Sequence, residues 1–197
     1  MWERKYTEEL KRLREEAYYA GGQSRIDRQH KSGKLTARER INLLFDSGTF
    51  VEIGTIRESE IISENKKRSH IIGDGVITGY GRINGQIVYV ASQDFTVNGG
   101  TLGETHSLKI CRVMDMAYDA KCPFISINDS GGARIEEGIK SLNGYSGIFF
   151  RNTKSSGVIP QISVIMGPCA GGACYSPAIC DFVFMVNYRA AEDFAAS

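Results

Sequence analysis

Residues 123–134 read PFISINDSGGAR, an apolar run that leads directly into a turn with two adjacent glycines. The pattern occurs again at residues 161–173, which read QISVIMGPCAGGA. An apolar run bounded by proline and glycine predicts a buried strand, and the sequence after each turn predicts a helix. Because open α/β sheets bind ligands at the carboxyl ends of their strands, we expect both glycine turns at the functional edge of an α/β fold.

The glycine turns offer backbone amides rather than side chains. Adjacent glycines before a helix let a ligand approach the backbone and leave the first helical N–H groups without partners. Such a turn can hold a phosphate or a developing oxyanion. Neither turn has the spacing of a P-loop or of a dinucleotide fingerprint. Double glycines can also serve only to relieve crowding, and the two turns alone leave both interpretations open.

The composition excludes several classes of protein. The 197 residues carry a formal net charge of +1 and 24% charged residues, so no whole-chain field favours nucleic acid or a membrane surface. The five cysteines are odd in number and lack Cys-x-x-Cys spacing, which favours free thiols in a reducing cytoplasm over disulfides or zinc. The three histidines lie far apart in the sequence, so no metal site is expected.

An uncharged stretch from Gly157 to Cys180 is long enough to span a bilayer. It contains Pro160, Pro168 and Pro177, which are incompatible with one continuous membrane helix of ordinary geometry. We interpret it instead as a buried strand, a turn and a short buried helix.

The N-terminal third predicts helices and a polar loop. One narrow apolar stripe at helical spacing extends to about Ala20, and we expect it to lie across another part of the protein or a partner subunit. Thr36-Ala37-Arg38-Glu39 is a capping box that opens a helix through Phe45. Residues 55–70 are polar and predict an exposed loop. The stripe consists of Trp2, Tyr6, Leu10, Leu13 and Ala17.

A hairpin and a strand–helix alternation are predicted for the remainder. Asn84-Gly85 is a type I′ turn signal between alternating runs at about residues 75–83 and 86–91. Thr101-Leu102-Gly103-Glu104 reads as a second capping box, for a helix that ends at Lys121-Cys122-Pro123. The elements expected after it are a strand at 124–128, a helix at 135–156, a strand at 161–166, a helix at 171–179 and a strand at 182–186.

We divide the chain into three parts. Residues 1–30 are expected to form an N-terminal helical arm, residues 31–186 an α/β domain, and residues 187–197 an atypical tail. The tail is alanine-rich and polar, and no helix follows the last predicted strand. We therefore expect the chain to be part of a longer protein.

Seven short motifs occur in one order along the chain. They are KLTARER at 34–40, GDGVITGYG at 73–81, QDFT at 93–96, GGTLGE at 99–104, NDSGGARIEE at 128–137, SGVIPQ at 156–161 and GPCAGGACYSP at 167–177. Together they resemble the N-terminal half of the biotin-dependent acyl-CoA carboxyltransferases, of the propionyl-CoA carboxylase beta-chain and methylmalonyl-CoA decarboxylase alpha-subunit type. The resemblance extends from about Leu10 to Val186.

The resemblance implies a fold and a reaction. The fold is crotonase-like, with β-β-α units stacked into mixed sheets and helices outside. The reaction moves a carboxyl group between carboxybiotin and the α-carbon of a short-chain acyl-CoA, such as propionyl-CoA or methylmalonyl-CoA. The transient thioester enolate is an oxyanion, which backbone amides can stabilise without a metal or a catalytic carboxylate.

The resemblance also implies residue roles. The oxyanion hole for the thioester oxygen is expected at three residues of the second turn: Gly171, Gly172 and Ala173. The CoA pocket is expected to be lined by three residues of the first turn: Gly131, Gly132 and Ala133. Arg134 is expected either to meet a CoA phosphate or to form an internal salt bridge with Glu136 or Asp129.

Partners follow from the same resemblance. Biotin is expected on a biotin carboxyl carrier protein, served by a biotin carboxylase or by decarboxylase subunits. Family members have a second, homologous half that binds biotin, and their active site lies between halves of two subunits. This chain has no such half, so we expect it to bind acyl-CoA but to be inactive alone. The full-length form is expected to be a dimer-based hexamer without nucleic acid or membrane insertion.

Two other functions stay open from the residues. A crotonase-type acyl-CoA hydratase or isomerase also uses a glycine oxyanion hole, but hydration needs placed carboxylates, and only Asp181 lies close to the second turn in sequence. A non-catalytic fragment that binds CoA esters or other subunits is the second alternative.

Overall fold

The structure, a computed structural model, describes residues 2–19, 21–62 and 68–186. Its helices are α1 (Trp2–Tyr18), α2 (Gln23–Lys31), α3 (Ala37–Leu44), α4 (Glu104–Ala120), α5 (Ile139–Ser155) and α6 (Gly172–Ala178), with 3-10 turns at Asn98–Gly100 and Ile135–Glu137. Its strands are β1 (Val51–Glu52), β2 (Glu58–Ile62), β3 (Arg68–Ile72), β4 (Val76–Ile83), β5 (Gln86–Gln93), β6 (Phe124–Ser130), β7 (Gln161–Cys169) and β8 (Phe182–Met185).

Six strands form one mixed sheet in the order β1-β4-β5-β6-β7-β8. β4 is antiparallel to β1 and to β5, whereas β5, β6, β7 and β8 run parallel. Helices α4, α5 and α6 connect these parallel strands in turn, as parallel pairing requires. The carboxyl ends of β5 to β8 therefore meet at one edge, and β6 and β7 end there in the two glycine turns.

Side chains of the sheet alternate between two cores on opposite faces. Phe124 of β6 packs in the core that also contains residues of α4 and α5. Ile125 and Ile127 point to the other face, where they pack in one cluster with Ile41 and Phe45 of the α3 segment. This alternation is the two-residue period of a strand, which places successive side chains on opposite faces of the sheet.

Several local predictions are confirmed. The Thr36 capping box is present, since the Thr36 side chain accepts a hydrogen bond from the Glu39 N–H and the Glu39 side chain accepts one from the Thr36 N–H. The hairpin at Asn84-Gly85 joins β4 and β5, with Asn84 and Gly85 both at positive φ. The uncharged stretch at 157–180 contains β7, a turn and α6 as predicted, but α6 is not a buried helix, since Tyr175 is 66% exposed.

The prediction of a loop at 55–70 is wrong. β2 and β3 form a two-stranded antiparallel sheet, in which Glu58 pairs with Ile72. The polarity of the stretch hides the strands, because a small sheet at the surface needs no continuous apolar run. The nine-residue helix α2 was also not predicted, since its sequence QSRIDRQHK is almost entirely polar.

Two helix starts differ from prediction. Gly103 is the N-cap of α4, whereas the hydroxyl of Thr101 donates to the Asn98 carbonyl oxygen at 2.8 Å. The predicted helix at 135–156 is divided, because Gly138 adopts φ 53° between a 3-10 turn and α5. Thr101 lies two residues before the N-cap of α4, so its hydroxyl bonds to the preceding 3-10 turn rather than to the first N–H groups of the helix.

Apolar surface stays exposed at β8 and along α1. β8 is an edge strand whose four residues are exposed, Met185 at 72%. On α1, Tyr6 and Leu10 are exposed at 52% and 43%, whereas Leu13 and Ala17 are half-buried. The Trp2 side chain and the predicted tail at 187–197 lie outside what the structure describes. Within the described ranges, no helix is long and apolar enough to cross a membrane.

Candidate functional site

The two glycine turns lie side by side at the edge of the sheet. β6 and β7 are neighbours, and their pairing extends to Ser130 and Cys169, after an irregularity at Asn128. A carbon added as a side chain at Gly132 would lie 2.9 Å from the carbonyl oxygen of Ala170. Glycine at 132 thus permits the close approach of the two turns, and it also has a φ of 101°.

The first turn is fixed by hydrogen bonds that its backbone N–H groups donate. The Gly131 N–H donates to the Gly99 carbonyl oxygen at 2.9 Å, and the Gly132 N–H donates to the Ser130 hydroxyl at 3.1 Å. Residues on either side of Ala133 bond to Leu102, through Leu102 N–H to Gly132 and Arg134 N–H to Leu102. Among the described residues, the Ala133 N–H itself has no such acceptor.

The second turn leaves two further amides available. The Ala173 N–H donates to the Ala170 carbonyl oxygen at 3.1 Å, so that amide is satisfied within the turn. The Gly171 and Gly172 N–H groups have no backbone or side-chain acceptor in the part of the chain that the structure describes. Available N–H groups are therefore found at Ala133 on one turn and at Gly171 and Gly172 on the other.

Glycine occupies positions 171 and 172 for two different physical reasons. Gly171 is the N-cap of α6 with φ 55° and ψ −125°, a conformation that side chains strongly disfavour. A side-chain carbon at Gly172 would lie 2.8 Å from the Tyr145 ring. Tyr145 is buried beneath the turn, and burial raises the pKa of its hydroxyl to about 12. Its hydroxyl is therefore a neutral group beneath the second turn.

Arg134 is not placed to meet a CoA phosphate. Its side chain is 1% exposed, and its Nη1 lies 2.6 Å from Asp74 Oδ1 and 2.8 Å from Glu137 Oε1. Its Nη2 donates to the Thr101 carbonyl oxygen at 2.8 Å. The internal salt bridge is present, but its partners are Asp74 and Glu137 rather than the expected Glu136 or Asp129. The guanidinium therefore anchors the end of the first turn.

Sequence reasoning missed a buried polar network behind the first turn. His106 is fully buried, and its Nδ1 lies 2.8 Å from the Asp74 carbonyl oxygen, which requires an Nδ1–H donor. The His106 Nε2 then accepts from Gln93 Nε2 at 3.4 Å, while Gln93 Oε1 accepts the Asp129 N–H at 3.3 Å. The network connects α4 to the residue that opens the first turn. The only signal in the sequence was that Gln93, Asp74 and Asp129 fall within the quoted motifs.

Burial shifts the pKa values of this network. Desolvation, reinforced by Arg134, holds the pKa of His106 well below its ordinary value. Burial likewise lowers the pKa of Lys109 to about 8, although its Nζ donates to the carbonyl oxygens of Gly73 and Val76. Burial raises the pKa of Asp74, against the lowering effect of Arg134. The network is therefore sensitive to protonation at His106 and is otherwise held by hydrogen bonds.

A basic pocket adjoins the first turn. It is open, has a volume of about 490 Å³, and lies between α2 and the loop after β5. Arg25, Arg28 and Lys34 line it, and the Lys34 ammonium lies 5.7 Å from the ring centroid of Phe95. Gly99 also lines the pocket, and its carbonyl oxygen accepts the Gly131 N–H, so the pocket adjoins the first turn through this hydrogen bond. Positive charge beside exposed backbone favours an anionic ligand.

Within the described residues, no group of three or more metal-binding side chains is arranged for a metal ion. The five cysteines are free thiols. The site in this part of the chain therefore consists of backbone amides, buried polar side chains and the basic pocket.

Comparison with known proteins identifies the family of this chain. The carboxyl transferase domain family matches residues 28–191. The chain is 58% identical over 180 residues to the propionyl-CoA carboxylase beta chain of Roseobacter denitrificans and 51% identical over 183 residues to the methylmalonyl-CoA decarboxylase subunit alpha of Propionigenium modestum. These alignments cover 91% and 93% of this chain and 35% of each relative, so the chain spans about a third of their length.

Solved structures give the same result. A crystal structure of transcarboxylase 12S with methylmalonyl-coenzyme A and methylmalonic acid bound superimposes with a TM-score of 0.88 and 44% identity, covering 98% of this chain and 40% of that chain. The fold is thus the α/β crotonase-like fold predicted from the motifs, with a mixed sheet and outer helices. The chain belongs to the carboxyl transferase domain family.

Proposed function

We propose that this chain is the acyl-CoA-binding half of a biotin-dependent carboxyltransferase. The observation that carries the proposal is the pair of adjacent glycine turns, which present the available N–H groups of Ala133, Gly171 and Gly172 at one edge of the sheet. Two or more amides directed at one oxygen form an oxyanion hole. Family membership and the methylmalonyl-coenzyme A bound to transcarboxylase 12S support a thioester as the ligand.

The amides would act on the thioester oxygen of the acyl group. When a proton leaves the α-carbon, negative charge develops on that oxygen, and fixed N–H groups stabilise it without reorganisation. Carboxybiotin, carried on a partner protein, would supply or accept the carboxyl group at the α-carbon. Propionyl-CoA and methylmalonyl-CoA are the substrates that the two relatives' names favour.

The basic pocket would hold the phosphates of CoA. Arg25 and Arg28 of α2 line an open volume of about 490 Å³, and Gly99, which also lines it, is hydrogen-bonded to Gly131 of the first turn. Guanidinium groups bind phosphate through several N–H donors at once. We assign this role to the pocket rather than to Arg134, because the Arg134 guanidinium is buried between two carboxylates.

The assembly is proposed from family resemblance and from exposed apolar surface. The four residues of β8 and the half-exposed Tyr6 and Leu10 of α1 present surface that a second half or a neighbouring subunit would cover. The hexamer assembly of transcarboxylase 12S supports the proposal of a dimer-based hexamer here. A cytoplasmic location and a biotin carrier partner stay predictions.

A hydratase or isomerase has less support from the geometry. Asp181, the carboxylate nearest the second turn in sequence, accepts a hydrogen bond from the Gln161 N–H at 2.8 Å. Gln161 begins β7, whereas the turn follows the other end of that strand, so a strand of nine residues separates the two. Asp181 is thus too far from the amides to act as a general base.

Calorimetric titration with propionyl-CoA tests the binding proposal. We expect the wild-type chain to bind, and the double substitution Arg25→Ser with Arg28→Ser to weaken binding by about tenfold or more, because charged hydrogen bonds to phosphate are lost. Arg112→Ser, on the exposed face of α4, is the matched control and should leave the affinity unchanged. Equal affinity in all three proteins would remove the pocket from the proposal.

A carboxylation assay with free biotin and propionyl-CoA tests the need for a second half. We expect no carboxylated product from this chain alone. Product formation would contradict the assignment of this chain as only the acyl-CoA half.

A further inference from the structure

Asp129 is buried at the junction of the two glycine turns. Its side chain is fully buried, and its Oδ2 accepts from Arg40 Nη2 at 2.7 Å. Arg40 is 5% exposed and belongs to α3, outside the sheet. The same Nη2 lies 3.5 Å from the Met166 carbonyl oxygen of β7. One guanidinium nitrogen therefore contacts both strands that lead to the turns.

Two glycines give Asp129 its space. A side-chain carbon at Gly167 would lie 1.8 Å from Asp129 Oδ1, and one at Gly100 would lie 2.1 Å from the Asp129 carbonyl oxygen. Gly167 precedes the second turn within β7, and Gly100 ends the 3-10 turn beside the first. Any shift of Asp129 is thus transmitted to three segments of the site.

The N-terminal arm reaches the same residue. Gln29 of α2 is buried, and its Nε2 lies 3.4 Å from Asp129 Oδ2. Helices α2 and α3 therefore both contact the Asp129 carboxylate from outside the sheet, while Gln93 contacts its N–H from within it.

The ion pair is not optimised for stability. Asp129 Oδ1 and Arg40 Nη1 are buried and have no hydrogen-bond partner in the described part of the chain. Buried pairs with unsatisfied atoms contribute little net stability, because desolvation offsets attraction. A buried ion pair that contributes little to stability needs a different explanation. The contacts of Asp129 and Arg40 with both strands indicate that the pair holds β6 and β7 in position.

We propose that Asp129 and Arg40 are positioning residues, whose buried ion pair sets the spacing between the first and second glycine turns. The spacing decides whether Ala133 on one turn and Gly171 and Gly172 on the other can bind one oxygen. This inference rests on the proposed acyl-CoA site and adds the residues that hold its geometry. A displacement of about 1 Å at such a site is enough to weaken it strongly.

The test compares propionyl-CoA with S-propyl-CoA, the thioether in which a methylene group replaces the thioester carbonyl. The ratio of their two dissociation constants isolates the contribution of the amides, and a general loss of stability does not change it. We expect wild type to prefer propionyl-CoA, and Asp129→Asn to reduce that preference about tenfold. Gly167→Ala should reduce the preference in the same way, because the added methyl group displaces the Asp129 carboxylate while Asp129 and Arg40 both keep their charges. Arg40→Lys, which keeps a cation, should retain most of the preference.

Asp115→Asn is the matched control. Asp115 pairs with Arg151 on the outer helices at 2.8 Å, and its loss should lower stability slightly without changing the ratio. An unchanged ratio in folded Asp129→Asn and Gly167→Ala would overturn the proposal. If Asp129→Asn does not fold, the result with Gly167→Ala decides. If wild type binds both ligands equally, the proposed amide site fails and this inference fails with it. If wild type prefers propionyl-CoA and the variants keep the same ratio, the site stands and the positioning role is rejected.

Discussion

The two glycine turns share a sequence pattern but are held by different forces. The first turn ends in Arg134, which is 1% exposed between two carboxylates, and Asp129 opens it with a second buried ion pair. The second turn contains no charged residue and rests on the Tyr145 ring, with Gly171 in a conformation suited to glycine. Electrostatics and hydrogen bonds fix the first turn, whereas packing on Tyr145 and the backbone conformation of Gly171 fix the second.

The difference shows how one function can be built from unlike parts. Both turns supply amides, and neither needs a titrating side chain at the ligand. Polar anchoring makes the first turn sensitive to charge and to pH, whereas packing makes the second turn sensitive to side-chain volume. Loss of the charged groups at Arg134 or His106 should therefore act on the first turn, whereas added volume at Gly172 should act on the second.

The largest effect is expected at Arg134. Arg134→Met leaves Asp74 buried without its cation, which should lower the free energy of unfolding by about 3–5 kcal/mol. Urea denaturation monitored by circular dichroism measures it. Arg151→Met is the control, because its pair with Asp115 is 25% and 43% exposed, and it should cost at most about 1 kcal/mol. Equal losses would mean that burial of charge does not distinguish the first turn.

The second turn should respond to volume. Gly172→Val places carbon against the Tyr145 ring, where the nearest atom is 2.8 Å from the first added carbon, and should cost about 1–3 kcal/mol. Thermal unfolding measures the change. Tyr145→Ala removes the obstacle, so Gly172→Val should cost less in that background. A penalty that is the same in both backgrounds would show that packing on Tyr145 is not the cause.

Acid should act through the first turn. His106 has a folded pKa well below its ordinary 6.5, so below pH 6.5 the unfolded chain binds a proton that the folded chain excludes. Stability present above pH 6.5 is therefore lost as the pH falls, by up to about 1.4 kcal/mol per pH unit. His106→Gln should remove this slope. Unfolding free energies at several pH values between 7 and 5 test it, and parallel curves for the two proteins would contradict the prediction.

The smallest effect compares two glycines of the same conformation. Gly171 has φ 55° and ψ −125°, and Gly138 before α5 has φ 53° and ψ −124°. Neither has atoms within 4 Å of an added side-chain carbon, so alanine at either site should cost about 1–2 kcal/mol of backbone strain. Only Gly171→Ala should also weaken propionyl-CoA binding in calorimetry. If Gly138→Ala also loses binding, the weaker binding of Gly171→Ala would be explained by lower stability and not by a role of Gly171 at the ligand.

Local signals account for what the sequence predicts well. Thr36 with Glu39, the pair Asn84-Gly85, and the two glycine turns each act within a few residues, and the corresponding elements are present. Such signals depend on backbone conformations that the residues themselves favour. The two turns could therefore be located from the sequence, but the available amides could not all be, since the Ala173 N–H donates to the Ala170 carbonyl oxygen and the Ala133 N–H was not expected to act.

Long-range polar contacts account for what sequence reasoning missed. Asp129 and Arg40 are 89 residues apart, and Arg134 and Asp74 are 60 apart. Charged residues are usually exposed, so nothing in their type predicts a buried pair. Arg134 consequently read as a candidate phosphate ligand. Thr101 was misread for a similar reason, since the sequence pattern does not specify the 3-10 turn at Asn98–Gly100 that precedes it, and α4 begins only after Gly103.

The contacts of Asp129 also constrain the order in which the chain folds. Gln29 and Arg40 precede it by 100 and 89 residues. At a synthesis rate of about 5–20 residues per second, Arg40 exists for about 4–18 s before its carboxylate is made. The contacts that α2 and α3 make with Asp129 can therefore form only after β6 has been made, although α3 can already pack against β4 and β5. Contacts of such sequence separation slow folding.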